Sequence, residues 1–325
     1  MGTDEDTMTR YLIHRLLGVV PTVLLLLLMV VVMVRMVPGS IVDIMLSERG
    51  NTREVDRTAI EQRLGIDRPL PVQYADYAAG VLHGDLGRSL WDQRPVSTLI
   101  FRRLPTTIEL TVLAMTVSIA IAITFGVIAA IRQDTLLDYG PRSVAILGLS
   151  VPEFVLGTAV LVLPTIWFHK TVPLIWHPFS EDPGEHLKQI IVPALVVGVR
   201  LSASVMRLTR TMMLEVLRQD YTRTAWAKGL SERVVVLRHG LKNGLIPVVT
   251  LLGLEIAGLI SGLVVMESIF AIPGVGRLLI ESISSRDYPV IQGITVVVGT
   301  LVIVVNLAVD LSYAFLDPRV RFSRG

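Results

Sequence analysis

The 325-residue sequence contains no cysteine. This absence excludes disulfides, cysteine-ligated zinc and thiol chemistry, although it does not define a cellular compartment. The chain also lacks the G-x-x-x-x-G-K-[ST] motif, so it is not expected to bind ATP through a phosphate-binding loop. It has no H-E-x-x-H or G-x-S-x-G motif, and its six histidines are scattered along the chain. The sequence therefore predicts neither a metal site nor a catalytic site within this chain.

Charged residues are also scarce, at 18% of the chain, whereas hydrophobic residues make up 52%. The mean hydropathy of +0.62 is that of an integral membrane protein. The net charge is only +2, and the basic residues cluster beside apolar runs, where membrane orientation explains them without nucleic acid. The predicted fold class is an all-α integral membrane protein.

Apolar runs predict six transmembrane helices. Residues 1–9 are polar and predicted to be disordered. The first span lies within 10–37, and its apolar run is longer than the core of a cleavable signal peptide, so we interpret it as an uncleaved span. Pro152 is expected to kink the third span. The remaining spans are predicted at 105–131, 143–168, 190–213, 245–266 and 289–315.

The polar segment 38–99 is predicted to form an extracytoplasmic cap, and residues 100–325 the core membrane domain. Residues 52–64 show helical spacing of apolar side chains, and Tyr74, Tyr77, Val81 and Leu82 suggest a second short helix at the membrane interface. We expect a small structural cap rather than a catalytic domain.

The distribution of basic residues predicts that both termini lie inside the cell (N-in/C-in). The N-terminus, residues 132–142, residues 210–242 and the C-terminal tail together carry 14 lysines and arginines. The two short outer loops carry four, Lys170, Lys188, Arg277 and Arg286. This asymmetry follows the positive-inside rule.

Several ionisable residues fall within the predicted spans, where such groups usually face a partner or an aqueous cavity. They are Glu109, Glu153, Arg200, Arg207, Glu255 and Asp310. One interpretation is a polar translocation path, and the other is that the residues snorkel or pair with one another. Arg207 and Asp310, near the inner boundary, favour the second interpretation. No arrangement with histidine partners is evident, which disfavours a proton-coupled carrier.

The segment from Asp220 to Pro247, which overlaps the loop predicted at 214–244, is a basic island between two apolar runs. It is longer than a simple connection needs. Its sequence, YTRTAWAKGL followed by RHGLKNGLIPVVT, resembles the cytoplasmic loop of ABC-importer permeases of the dipeptide/oligopeptide branch. Trp226 stands where that branch usually has arginine, and Gly240 and Gly244 stand where it has alanine. These departures are expected to alter packing without breaking the role of the loop.

The resemblance extends over nearly the whole chain. Further similar blocks are LGIDRPLP (64–71), GDLGRS (84–89), RLPTTIEL (103–110), ESIFAIPGVGRLL (267–279), RDYPVIQG (286–293) and LDPRVR (316–321). Their number and order make the signal specific. It implies a type I ABC importer permease fold in a bacterial cytoplasmic membrane.

The resemblance also implies partners and roles. A second homologous permease would complete the pore, ATPase subunits (separate or fused) would bind ATP and Mg²⁺, and an extracytoplasmic substrate-binding protein would deliver the peptide. No cofactor is expected in this chain itself, and membrane lipid would surround it. The residues implied to couple to the ATPase are Tyr221, Thr222, Arg223, Thr224, Ala225, Ala227, Lys228 and Gly229. Those implied to face the receptor, in a tight exposed turn, are Ile272, Pro273, Gly274, Val275, Gly276 and Arg277.

We expect the substrate path to include Glu109, Glu153 and Arg200, with Arg200 lining the cavity and meeting a carboxylate. The resemblance leaves other cargo open, namely nickel, glutathione, murein peptides or haem, because such permeases share these motifs. A secondary carrier that works alone is the other alternative. It predicts inverted internal repeats, and none is evident in the sequence.

Overall fold

A computed structural model describes residues 2–36, 68–169 and 175–316 of the chain. The cap residues 38–67, including the amphipathic segment 52–64, lie outside the described residues, as does the tail beyond Leu316. The described part is helical, and the one β-bridge found there joins Arg88 to Pro95. The all-α class is confirmed.

The helices, in chain order, have the following bounds. They are α1 (Gly2–Met36), α2 (Leu70–Leu82), α3 (Val96–Ile131), α4 (Leu136–Ser150), α5 (Glu153–Phe168), α6 (Pro183–Leu217), α7 (Asp220–Ala227), α8 (Glu232–Val234), a π-helix (Val235–Leu241), α9 (Lys242–Gly262), α10 (Val264–Ile269), α11 (Val275–Ser284) and α12 (Tyr288–Leu316).

Among the described residues, five stretches are long and apolar enough to cross a membrane, and α4 with α5 makes a sixth if the pair forms one broken span. The pair is bent by 97° at Pro152, which precedes the first residue of α5 and has extended backbone (φ −59°, ψ 141°). The kink predicted at Pro152 is thus observed as a break, because proline restricts the residue before it and has no N–H to donate.

Helix α6 begins seven residues before the predicted fourth span. Asp182 caps it, since its Oδ1 accepts hydrogen bonds from the N–H groups of Gly184 and Glu185, both at 3.0 Å. These backbone donors lower the pKa of Asp182. Pro183 in the first turn needs no hydrogen-bond partner. The early start brings His186 into the helix.

The chain divides into two compact units, and the first contains residues 103–280 and 304–325 with the extreme N-terminus. Its core joins α3, α6, α9 and α10 through fully or nearly buried Leu110, Ile190, Val197, Leu263 and Met266. Glycines permit the close packing of α3 and α6. A Cβ on Gly198 would lie 2.7 Å from the carbonyl oxygen of Ala114, and one on Gly126 would lie 2.8 Å from Thr209 Cβ.

The second unit contains residues 10–102 and 281–303. In it, Asp287 is buried and its carboxylate accepts hydrogen bonds from Ser89 Oγ (2.5 Å) and from the backbone N–H of Leu90 (3.1 Å). Trp91 Nε1 donates to the carbonyl oxygen of Ser285 at 2.8 Å. The GDLGRS and RDYPVIQG blocks of the sequence are therefore neighbours in this unit.

Candidate coupling site and polar path

Helix α7 lies in the basic island and turns its small residues inward. Thr222 is fully buried and Ala225 is 5% exposed, and their spacing of three residues puts them on one face of the helix. Thr222 Oγ1 donates to the carbonyl oxygen of Val216 in α6 at 2.9 Å. This bond ties the start of α7 to the last turn of the long helix before it.

The rest of the surface of α7 is open. Tyr221 and Trp226 are 45% and 44% exposed. Within the described residues, Arg223 has one long ion-pair contact, 3.8 Å to Asp220, and both side chains are largely exposed. The other exposed members of the predicted coupling set are Thr224, Ala227, Lys228 and Gly229. Of the eight residues predicted there, two anchor the helix and six present atoms at the surface.

Gly229 ends α7 in the left-handed region, with φ +79°. Its N–H donates to the carbonyl oxygen of Trp226 at 2.9 Å, and the N–H of Leu230 donates to the carbonyl oxygen of Ala225 at 3.4 Å. A Cβ at this position would meet nothing within 4 Å. Glycine is therefore needed here for its backbone conformation and not for space.

The π-helix and the start of α9 pack beside α6 through two glycines. A Cβ on Gly240 would lie 2.9 Å from Met213 Cε, and one on Gly244 would lie 3.4 Å from Met213 Sδ. Met213 is completely buried. The glycines that replace alanine at these positions thus make room for the Met213 side chain of α6.

A buried ion pair holds α4 to α6 and was not singled out in the sequence. Asp138 is completely buried, and Arg210 binds it with two hydrogen bonds, from Nε at 2.7 Å and from Nη2 at 2.6 Å. Asp138 also accepts the backbone N–H of Asp134 at 3.1 Å, and Arg142 approaches it at 3.9 Å. Such a bidentate ion pair fixes the position of one helix against the other.

The ESIFAIPGVGR block folds around its own glutamate. Glu267 is completely buried, and its carboxylate accepts hydrogen bonds from Thr107 Oγ1 (2.7 Å) and the N–H of Arg277 (3.0 Å). Thr107 Oγ1 in turn accepts the N–H of Val275 at 2.9 Å. A Cβ on Gly274 would overlap the Glu267 carboxylate. Burial raises the pKa of Glu267, and the hydrogen bonds and the charge of Arg103 oppose that rise.

This packing corrects the expectation of an exposed turn. Ile272, Gly274, Val275 and Gly276 are buried, and Pro273 and Arg277 are partly exposed. The loop turns inward because a carboxylate without bulk water must be satisfied by nearby donors, and backbone N–H groups of the loop supply them.

The three residues of the predicted substrate path each have a charged or imidazole partner, but they do not form one site. Arg200 Nη1 lies 3.3 Å from Glu153 Oε2. Glu109 Oε1 lies 2.8 Å from Nε2 of His186, which corrects the expectation that these carboxylates lack histidine partners. His186 and Arg200 are 14 residues apart in α6, about 21 Å along the helix. The three residues of the predicted substrate path therefore occupy two separate levels.

His186 is held in a fixed orientation by the loop before α6. Its Nδ1 is 2.9 Å from the carbonyl oxygen of His177, and the rings of Trp176 and Phe179 meet it edge to face, with centroids 4.8 and 5.6 Å away. The sequence signal that could have placed His186 in the helix is the D-P-x-E start at Asp182. Among the described residues no group of three or more His, Asp or Glu side chains is arranged to hold a metal ion.

Comparison with protein families decides the class of the chain. Residues 122–322 match the family described as "Binding-protein-dependent transport system inner membrane component", and residues 8–111 match the N-terminal family of the same membrane components. The chain belongs to this family. It is a multi-pass protein of the bacterial inner membrane and an ABC transporter permease, which works with other ABC subunits.

The chain is similar to curated proteins over almost its full length. A putative peptide permease protein of Brucella suis is 39% identical, with 97% of this chain and 99% of the relative covered. The dipeptide transport system permease protein DppB of Escherichia coli is 37% identical, covering 98% of this chain and all of the relative. The di/tripeptide permease protein DppB of Pseudomonas aeruginosa is also 37% identical, with the same coverage.

A solved structure has the same fold. It is described as the crystal structure of an amino acid ABC transporter with histidines, and it aligns with a TM-score of 0.51 at 15% identity. The alignment covers 67% of this chain and 94% of that one. The likeness supports the ABC permease fold.

Proposed function

We propose that this chain is a permease subunit of an ATP-driven importer for dipeptides and short oligopeptides, and that it supplies half of the translocation pore. The full-length similarity to permeases named for peptide transport supports the cargo. The observation that carries the mechanism is the geometry of α7, where Thr222 and Ala225 anchor a short helix whose other face is open.

Helix α7 acts as the coupling helix in this proposal. Its exposed Tyr221, Arg223 and Trp226 enter a groove on an ATPase subunit, while Thr222 transmits movement to the end of α6 through its bond to Val216. Gly229 stops the helix at the length that the groove accepts. Closure of the ATPases then moves the spans as rigid bodies.

ATP is bound and hydrolysed by the partner subunits. This chain has no P-loop motif, so ATP and Mg²⁺ are bound by the ATPases, whether these are two chains or one fused chain. This subunit is not catalytic. It is proposed to pair with a second homologous permease, with both of its termini in the cytoplasm, and to receive peptide from an extracytoplasmic binding protein.

The loop at 272–277 is proposed to face that receptor through Pro273 and Arg277, which remain partly exposed. The buried Glu267 gives the loop a rigid base. Glu109, Glu153 and Arg200 are proposed to lie along the substrate path, because charged side chains at these depths are costly unless they meet water or a partner.

Reconstitution tests the function directly. Proteoliposomes containing both permeases and the ATPases, with the receptor outside, should take up labelled dipeptide only when ATP is inside. Uptake of nickel, glutathione, murein peptide or haem in place of dipeptide would overturn the cargo. Uptake by this chain alone, without ATPases, would indicate a secondary carrier.

A further inference from the structure

The middle of α6 carries two polar residues one turn apart, and each meets a carboxylate from another helix. Arg200 Nη1 lies 3.3 Å from Glu153 Oε2 in α5. Ser204 Oγ lies 2.9 Å from Glu255 Oε1 in α9. We call these four residues the midspan cluster. With both carboxylates ionised, it contains one fixed positive charge and two negative charges.

Arg200 and Ser204 lie in the middle of α6, and Glu153 lies at the break between α4 and α5. Position 200 is the midpoint of α6, which runs from Pro183 to Leu217. Glu153 is the first residue of α5, immediately after the 97° break. Charges at such a depth are strongly disfavoured against hydrocarbon. They are nevertheless accessible in this chain, since the Arg200 side chain is 40% exposed and that of Glu153 21% exposed.

A polar track continues from the cluster towards α7. At intervals of four, three, four and four residues, α6 carries Arg200, Ser204, Arg207, Thr211 and Glu215, all of them at least partly exposed. This spacing puts them on one face of the helix. In the other half of α6 the exposed large hydrophobic residues lie on a different face, at Leu187, Ile191, Leu195 and Val199, with the exposed Lys188 beside them near the start of the helix. The polar face fits an aqueous path, and the apolar face fits lipid.

The bonding at Arg200 leaves it able to take another partner. Within the described part of the chain its guanidinium makes one long hydrogen bond, whereas a guanidinium has five N–H donors. A carboxylate can bind such a group with two parallel hydrogen bonds. Glu255 in α9 is held by the neutral hydroxyl of Ser204, one turn along α6, and its charge remains available to an ammonium group.

We propose that the midspan cluster is the place within the pore where the two ends of a peptide are recognised. Arg200 binds the C-terminal carboxylate and Glu255 binds the N-terminal ammonium, while Glu153 is the resting counterion of Arg200. Ser204, which holds Glu255, lies one helical turn of about 5.4 Å from Arg200, and the ends of a dipeptide are about 7 Å apart. Recognition of the ends alone tolerates any side chain. This inference rests on the proposed function, since it requires peptide cargo.

The first experiment tests whether the cluster faces water. Because the chain has no cysteine, Ser204→Cys introduces its only thiol. A membrane-impermeant sulfonate thiol reagent should label this subunit in the ATP-cycling importer, and transported dipeptide should slow the labelling. Thr116→Cys is the matched control, since Thr116 is exposed beside Val112 on an apolar face of α3. Labelling of T116C but not S204C, or labelling of S204C that dipeptide leaves unchanged, would overturn the proposal.

The second experiment tests recognition of the carboxylate. A dipeptide and its C-terminal amide are loaded on the receptor to equal extents, matched by calorimetry, and their uptake rates are compared. The wild-type importer should prefer the free acid. Arg200→Gln should reduce uptake of the acid by about tenfold, because one hydrogen bond to a charged group is lost. It should also abolish the preference for the acid over the amide. Arg200→Lys should retain the preference, and Lys188→Gln, at an exposed site of α6, should behave as wild type.

The outcomes separate the two claims. If the wild-type importer takes up no peptide, the proposed function fails, and this inference fails with it. If the wild type takes up peptide and Arg200→Gln keeps the same acid-to-amide ratio, the inference alone is overturned. A purely structural role for the Arg200–Glu153 pair would lower both rates and leave their ratio unchanged.

Discussion

Two carboxylates, Asp138 and Glu267, are completely buried in the same compact unit, yet they are stabilised in different ways. Asp138 is matched by a guanidinium, with Arg210 donating twice. Glu267 is held by neutral donors, the hydroxyl of Thr107 and the N–H of Arg277. The first carboxylate joins two long helices, and the second closes a short loop.

This difference predicts which substitutions each region can tolerate. An ion pair between helices depends on both partners, because removing one leaves an uncompensated buried charge. A loop folded on a carboxylate depends on close backbone approach, which Gly274 and Gly276 permit. Four predictions test this comparison, from the largest expected effect to the smallest.

Breaking the buried ion pair should have the largest effect. Arg210→Ala leaves Asp138 charged and buried, so we expect a loss of about 3–5 kcal/mol in unfolding free energy. Thermal unfolding of the purified chain in detergent measures it. Arg68→Ala is the control, because Arg68 binds Asp76 at 2.7 Å with both side chains 57% exposed. An exposed pair contributes about 0–1 kcal/mol, so equal losses in the two variants would contradict the account.

Glu267→Ala should cause the second-largest loss of stability. It removes the acceptor for Thr107 and for the N–H of Arg277, and unsatisfied buried donors cost about 1–3 kcal/mol. The same thermal assay applies, and proteolysis within 271–277 should increase. Thr107→Val disrupts part of the same network, because it leaves the N–H of Val275 without its acceptor. If Glu267→Ala melts as wild type does, the carboxylate does not hold the loop.

Gly274→Ala should destabilise through steric overlap, since its Cβ meets the Glu267 carboxylate. Overpacking of this kind costs about 1–3 kcal/mol. Gly229→Ala is the contrasting variant, because its Cβ meets nothing within 4 Å and only the backbone is strained. We expect Gly274→Ala to lower the melting temperature more than Gly229→Ala. The reverse order would show that backbone strain at Gly229 costs more than the overlap at Gly274.

The pH dependence of stability should show a smaller effect. Burial raises the pKa of Glu267 above its ordinary 4.5, so the folded chain holds this proton more strongly than the unfolded chain. The resulting stability is fully present below the ordinary value and is lost as the pH rises through the raised pKa. Glu267→Gln should flatten this decline in the melting temperature. Parallel pH curves for the two proteins would contradict the raised pKa.

Local signals in the sequence predicted part of this architecture well. Apolar runs indicate the membrane helices, and Pro152 indicates the break between α4 and α5. The island around Gly229 indicates the coupling segment, where the structure has a short helix that ends in a left-handed glycine. Each of these features depends on residues close together in the chain, where helix spacing and backbone preferences act directly.

The long-range pairs could not be predicted in the same way. Asp138 and Arg210 are 72 residues apart, and Glu267 and Thr107 are 160 apart. Periodicity shows which face of a helix is apolar but not which helix covers it. The expected exposure of 272–277 was wrong for this reason, because the glycines that suggest a surface turn also permit packing against a buried carboxylate.

The most direct test of the central claim concerns coupling through α7. Gly229→Asp should leave the chain inserted and the importer assembled, because the position is exposed, yet it should break communication between the ATPases and the membrane helices. ATPase activity and dipeptide uptake are measured together in proteoliposomes with loaded receptor. We predict that uptake and receptor-stimulated ATPase activity are both lost in Gly229→Asp. Wild-type levels of both, in an assembled complex, would contradict the role of α7 as the coupling helix.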